Sequence, residues 1–74
     1  MKMDMIVNKD RIKIGHKIRS IREKQGYSAS RIAEAIGIRE SSYNRIEEGK
    51  FSVGIDILSR IAEVLGCEID FIER

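Results

Sequence analysis

The chain has no proline and no tryptophan, one cysteine, one histidine and only two leucines among its 74 residues. With Cys67 alone there can be no disulfide within the chain. With Cys67 and His16 single and far apart there is no tetrahedral ligand set, so no metal site is expected. A lone thiol suits a reducing compartment, which points to a cytoplasmic protein with Cys67 as a small buried hydrophobe. One imidazole and no carboxylate pair in a supporting context leave no nucleophile constellation. Catalysis is therefore not expected, and no cofactor is implied. Long apolar runs are also missing: "MKMDMIV" is too short for a signal-peptide core and carries Asp4, so no secretory or membrane-spanning segment is expected.

A chain this short sits near the lower limit at which one core holds itself together. Small scaffolds commonly add disulfides, a metal or a partner. With the first two excluded, self-association is the expected staple. The two leucines stand at Leu58 and Leu65, and isoleucine supplies most of the candidate core.

The formal net charge of +2 conceals an asymmetry. From Lys9 to Lys50, eleven basic residues face six acids, a net of +5. From Phe51 to Arg74, two face five, a net of −3, and residues 1–8 cancel. A basic first part suits a polyanion and an acidic tail suits something else, although solvated surface charge explains the same pattern.

Apolar periodicity predicts an all-α chain punctuated by glycine. A first helix is expected over about Lys9–Gln25, with Asn8 or Asp10 as N-cap and Val7 and Ile12 as a hydrophobic staple. Its apolar stripe is Ile14, Ile18 and Ile21, and Gly26 stops it. Ser28 then caps a second helix through Ile36 that turns Ile32, Ala33 and Ile36 inward. The third helix covers about Glu40–Glu48. A fourth, over about Gly54–Leu65, is expected to bury Ile55, Leu58, Ile61, Ala62 and Leu65. The tail "CEIDFIER" reads either as a strand or as a turn of a fifth helix. The head alternates at Met3, Met5 and Val7, so short terminal strands at 3–7 and 67–72 could pair. The domain reading is an N-terminal arm or strand over 1–8 and one domain over 9–74.

The stretch "GIRESSYNRIEEGK" (37–50) carries the chemistry. So few residues join the second and third helices that they must cross steeply, with a small residue at the crossing. Ala33 is placed for that, Gly37 admits a left-handed turn, and Ile38 drops into the crevice. With Tyr43 taken as inward, Ile46 and Glu47 share its side, and Ser41, Asn44, Arg45 and Glu48 fall opposite. A helix face of short donors and acceptors without bulky apolar groups is what the major groove of DNA requires of a recognition helix.

Residues 14 to 72 resemble the helix-turn-helix domain of the Xre family, to which phage Cro and phage repressors belong. The matching segments are "IGHKIRSIREKQGYS", "RIAEAIGI", "SSYNRIEEGK" and "ILSRIAEVLG". The resemblance implies a compact bundle of four to five helices, with the second and third forming the helix-turn-helix, bound to double-stranded DNA as a homodimer. Carried over by position, Glu40, Ser41, Asn44 and Arg45 are the implied base readers. Ser28, Ser30, Arg31, Ser42 and Lys50 are the implied phosphate contacts. Arg22 and Glu47 match an ion pair between the first and third helices, consistent with the inward facing of Glu47, where a charge needs a partner. The apolar tail makes Ile69, Phe71 and Ile72 the candidate dimer contact.

The chain departs from the family pattern at three places. Ala29 stands where Gln is common, Tyr43 where Val or Ile is common, and Arg39 where a Ser or Thr cap is common, with Glu40 following it. A carboxylate at Glu40 can accept from cytosine N4 or simply favour the positive end of its helix. The expected function is a repressor that occludes a promoter at a palindromic operator. A second reading, motivated by the acidic tail and by Ala29 and Glu40, is a protein-binding module such as an antitoxin, whose partner is a toxin.

Overall fold

Four stretches of helical periodicity become four helices in the computed structural model, which describes residues 2–69 and side chains from Asp10 onward. They are α1 (Lys2–Lys24), α2 (Ala29–Ile36), α3 (Glu40–Glu47) and α4 (Ile55–Leu65). α3 packs against both α1 and α2, and α2 packs against α4. Among the described residues there is no strand.

The core is assembled one helical face at a time. α2 contributes Ile32, Ala33 and Ile36, α3 Tyr43 and Ile46, and α4 Ile61 and Leu65, with Ile18 reaching in from α1. Each fully buried side chain of this size stabilises the fold by roughly 1.5–3 kcal/mol relative to exposure. Ile21, Ile38, Ile57, Leu58 and Cys67 pack around this cluster, half-buried.

The helices differ from the sequence reading in two places, the head and the register of α4. The head is helical, not a strand over 3–7, and Asn8 lies inside α1 instead of capping it. A short alternating segment with no strand to pair with leaves its backbone groups unsatisfied, whereas extending an existing helix adds a hydrogen bond for each residue fixed. Ile55 is the second difference: it is 63% exposed, and Ile57 packs against the core in its place. At about 100° per residue, Ile57 lies about 40° from Ile61 around the helix and Ile55 about 120° away.

Residues 67–69 form neither strand nor helix. Phe71 and Ile72, the rest of the expected dimer contact, lie outside the described residues.

Where glycine stops were expected, Gly26, Gly37, Gly49 and Gly66 all hold positive φ. Gly15 has a different role, in mid-helix. A Cβ there would run into the backbone carbonyl oxygens of Ile46 and Glu47 at the end of α3. Its missing side chain is what lets α1 and α3 touch backbone to backbone.

Candidate nucleic-acid interface

The turn between α2 and α3 is built from local hydrogen bonds. Ser28 caps α2, its Oγ accepting from the Arg31 amide at 3.1 Å. At the other end Gly37 adopts φ 80°, ψ 30°, a left-handed conformation that costs a residue with a Cβ about 1–2 kcal/mol. Its amide donates to Glu34 O at 3.2 Å and that of Ile38 to Ala33 O at 3.0 Å, satisfying carbonyls that the helix end would otherwise leave bare. Arg60 Nη1 reaches from α4 to Ile36 O at 3.4 Å. Ala33 is buried beneath this turn, where a larger side chain would push the helices apart.

α3 then divides cleanly into two faces. Tyr43, Ile46 and Glu47 are buried. Glu40, Ser41, Arg45 and Glu48 are exposed, and Ser42 and Asn44 are half-buried. The N-cap is Arg39, which makes no side-chain capping bond, so Glu40 is the acid that meets the positive end of this helix. Lys50 is exposed, its Nζ 3.6 Å from Glu48 Oε1, and its amide donates to Arg45 O at 2.9 Å. Ser28, Ser30 and Arg31 stand exposed at the start of α2. The Ser28 oxygen serves the cap, yet its hydroxyl hydrogen can still be donated outward.

The inward face of α3 is fixed by charge as well as by packing. Glu47 is 1% exposed. Arg22 of α1 holds its carboxylate in a two-pronged grip, Nε donating to Oε2 at 2.6 Å and Nη2 to Oε1 at 3.1 Å. Arg19 Nε donates to Oε1 at 3.1 Å from the more exposed side. Arg22 also donates through Nη1 to Tyr27 O at 2.8 Å, immediately before the Ser28 cap. One guanidinium therefore ties together α1, α3 and the lead into α2. Burial alone would raise the Glu47 pKa, but the bonds from Arg22, with smaller help from Tyr43 and Arg19, outweigh it and hold the carboxyl below its ordinary value.

Tyr43 fills the centre of the core. Burial, then the neighbouring Glu47 charge, push its phenol well above the ordinary value. The hydroxyl lies near that carboxylate yet makes no well-aligned hydrogen bond.

Two members of this arrangement escaped the sequence reading. Arg19 lies three residues before Arg22 and so on the same helical face, which was a usable signal. Gly15 lies three before Ile18, an unbroken helix position where glycine is costly unless something approaches closely. Among the described residues no group of His, Cys, Asp or Glu could hold a metal ion, and no helix is long and apolar enough to cross a membrane.

The turn between α2 and α3 joins a buried Ala33, a left-handed Gly37 and a polar outer face on α3, and the helix-turn-helix family model matches the chain over residues 18–72. The chain belongs to the Xre-like helix-turn-helix family. Its helix-turn-helix resembles that of a Pyrococcus furiosus protein named for HTH-type transcriptional regulation, 40% identical over 50 residues, covering 68% of this chain and 16% of that protein. It is also similar to the SPbeta prophage-derived uncharacterized HTH-type transcriptional regulator YonR of Bacillus subtilis, 31% identical over 58 residues, covering 78% of this chain and 54% of YonR. The chain thus spans about half of YonR and a sixth of the archaeal relative. No solved structure matches it at a significant level. Within this helix-turn-helix, α2 and α3 are the defining pair, and the Arg22–Glu47 grip sets their pose on α1.

Proposed function

We propose that this protein is a sequence-specific DNA-binding regulator, a repressor that occupies a palindromic operator as a homodimer. The observation that carries the reading is the division of α3: Tyr43, Ile46 and Glu47 anchor it while Ser41 and Arg45 are exposed and Asn44 is half-exposed. Arginine pairs with guanine O6 and N7, asparagine with adenine N6 and N7, and serine with either, so this face can read base edges in the major groove. Glu40 at the head of the helix would select cytosine, whose N4 amine is a donor.

Ser28, Ser30 and Arg31 at the start of α2, with Ser42 on α3 and Lys50 beyond its end, would hold phosphates and set the register without reading sequence. Two such units related by a two-fold axis would place their half-sites about 34–36 Å apart, one helical turn of DNA. Binding at a promoter represses by occlusion, which requires nothing beyond the DNA contact itself. The relatives' names, which refer to HTH-type transcriptional regulation, support the regulatory role.

The experiment is selection of bound sequences from a random double-stranded pool at fixed salt. The expected result is an inverted repeat whose half-site centres lie about one turn apart. Recovery of an unenriched pool would overturn the reading.

A further inference from the structure

An apolar groove of about 470 Å³ lies between α1 and α4. Its floor is Ile14, Ile18, Ile21, Leu58, Ile61 and Leu65, and Ile69 closes one end. Beside Ile14 and Leu58 lies a second, smaller cavity, lined by Phe51 and Val53 together with Ile46 of α3. Ile14 is 41% and Ile69 45% exposed. No residue of α2 or α3 lines the groove, so filling it leaves the outward face of α3 uncovered.

The two rims carry opposite charge. On the α1 side is Lys17, one of a stripe of exposed lysines (Lys13, Lys17 and Lys24) that runs beside the isoleucine stripe at helical spacing. On the α4 side is Glu68, with Glu63 next to it around Ala62 and Cys67. DNA would meet a repelling rim here, and so would a partner of either single sign. A surface that is basic along one edge, apolar in the middle and acidic along the other is complementary to itself. In a two-fold contact residue i meets j and j meets i, so each opposite-charge pair forms twice.

We infer that this groove is the contact face between two copies of the chain, apposed about a two-fold axis with the Lys17 rim of one copy against the Glu63 and Glu68 rim of the other. The inference rests on the homodimer reading above. It deepens that reading by locating the contact in the α1–α4 groove, with Ile69 at its end, and by fixing its polarity.

Sedimentation equilibrium without DNA, at micromolar concentration, tests the contact. The wild type is expected to dimerise. Lys17→Glu and Glu68→Lys each place like charges opposite one another at both symmetric contacts, and each should weaken its homodimer about tenfold. Mixed together, the two variants should form a heterodimer of near wild-type affinity, because both contacts again pair opposite charges. A repair within one chain could not produce that result. Ile14→Glu should leave only monomer, with thermal melting by circular dichroism confirming that it folds.

A wild-type dimer untouched by Ile14→Glu, or a mixture no tighter than the single variants, would overturn the groove while leaving the homodimer reading standing. A monomeric wild type would overturn both, as would groove variants that lose thermal stability without changing self-association, since the groove would then be covered by the chain itself. DNA binding is read separately, on a single half-site, so failure of the DNA reading is distinguishable from failure of the contact.

Discussion

Glu47 brings a charge into a site that is 1% exposed, and the fold tolerates it only because Arg22 and Arg19 surround the carboxylate. Removing one partner of a buried pair leaves the other uncompensated, so Glu47→Gln should destabilise the protein by about 3 kcal/mol. The urea midpoint at pH 7 measures it. The same pair sets an acid limit. Because the folded pKa of Glu47 is depressed below its ordinary value of 4.5, the unfolded chain binds the proton first. The resulting stability is present in full above that ordinary value and is lost as pH falls through the folded one. The wild type should therefore lose its advantage over Glu47→Gln between neutral and strongly acid pH, as paired denaturation curves would show. The inward facing of Glu47 could be read from helical spacing alone. The second arginine carried a signal in its spacing from Arg22, but one carboxylate with one matching arginine already looked complete.

At the level of the helices, caps and close approaches decide which alternatives survive. α2 has eight residues, too few to persist without tertiary contacts and good ends. Ser28→Ala should cost about 1 kcal/mol by leaving the Arg31 amide without its acceptor. Gly15→Ala raises intrinsic helix propensity, yet its Cβ would meet the carbonyls of Ile46 and Glu47. It should destabilise by about 1–3 kcal/mol, since backbone cannot move aside as a side chain can. Thermal unfolding of both variants tests the pair, and a stabilised Gly15→Ala would refute the backbone contact. The boundaries of α2, α3 and α4 were legible because caps and glycine stops are local chemistry. The start of α1 was not, because period-two and period-3.6 patterns cannot be told apart over so few residues. Ile55 was misplaced for a related reason: Ile55, Ile57 and Leu58 offer two registers within one turn, and only the position of α2 chooses between them.

For the whole molecule, function turns on a surface whose members the fold has oriented without covering. Arg45→Ala should weaken binding to the selected operator by about 1–3 kcal/mol and relax preference at one base pair, whereas Lys50→Ala should weaken all sequences alike and reduce the salt slope by about 1. Titrations of operator variants at several salt concentrations separate the two outcomes, and uniform weakening by Arg45→Ala would remove it from base reading. The division of charge along the chain, +5 in Lys9–Lys50 and −3 beyond, was visible in composition. Which face each sign would occupy was not. Lys17 and Glu68 are 51 positions apart, and only the packing of α4 beside α1 sets them on opposite rims of one groove.

By itself the sequence determined the helical periods, the glycine turn, the outward set on α3 and the inward facing of Glu47, while its partner Arg22 came only with the family resemblance. These follow from spacing and from the chemistry of neighbours a few residues apart. Tertiary structure alone decided that the end of α3 lies against Gly15, that Glu47 meets the arginines of α1, and that α1 and α4 leave an apolar groove between charged rims. The physical reason is common to all of these: each depends on the distance between elements far apart in the chain. That distance is set by the summed packing of the core, and no local pattern encodes it.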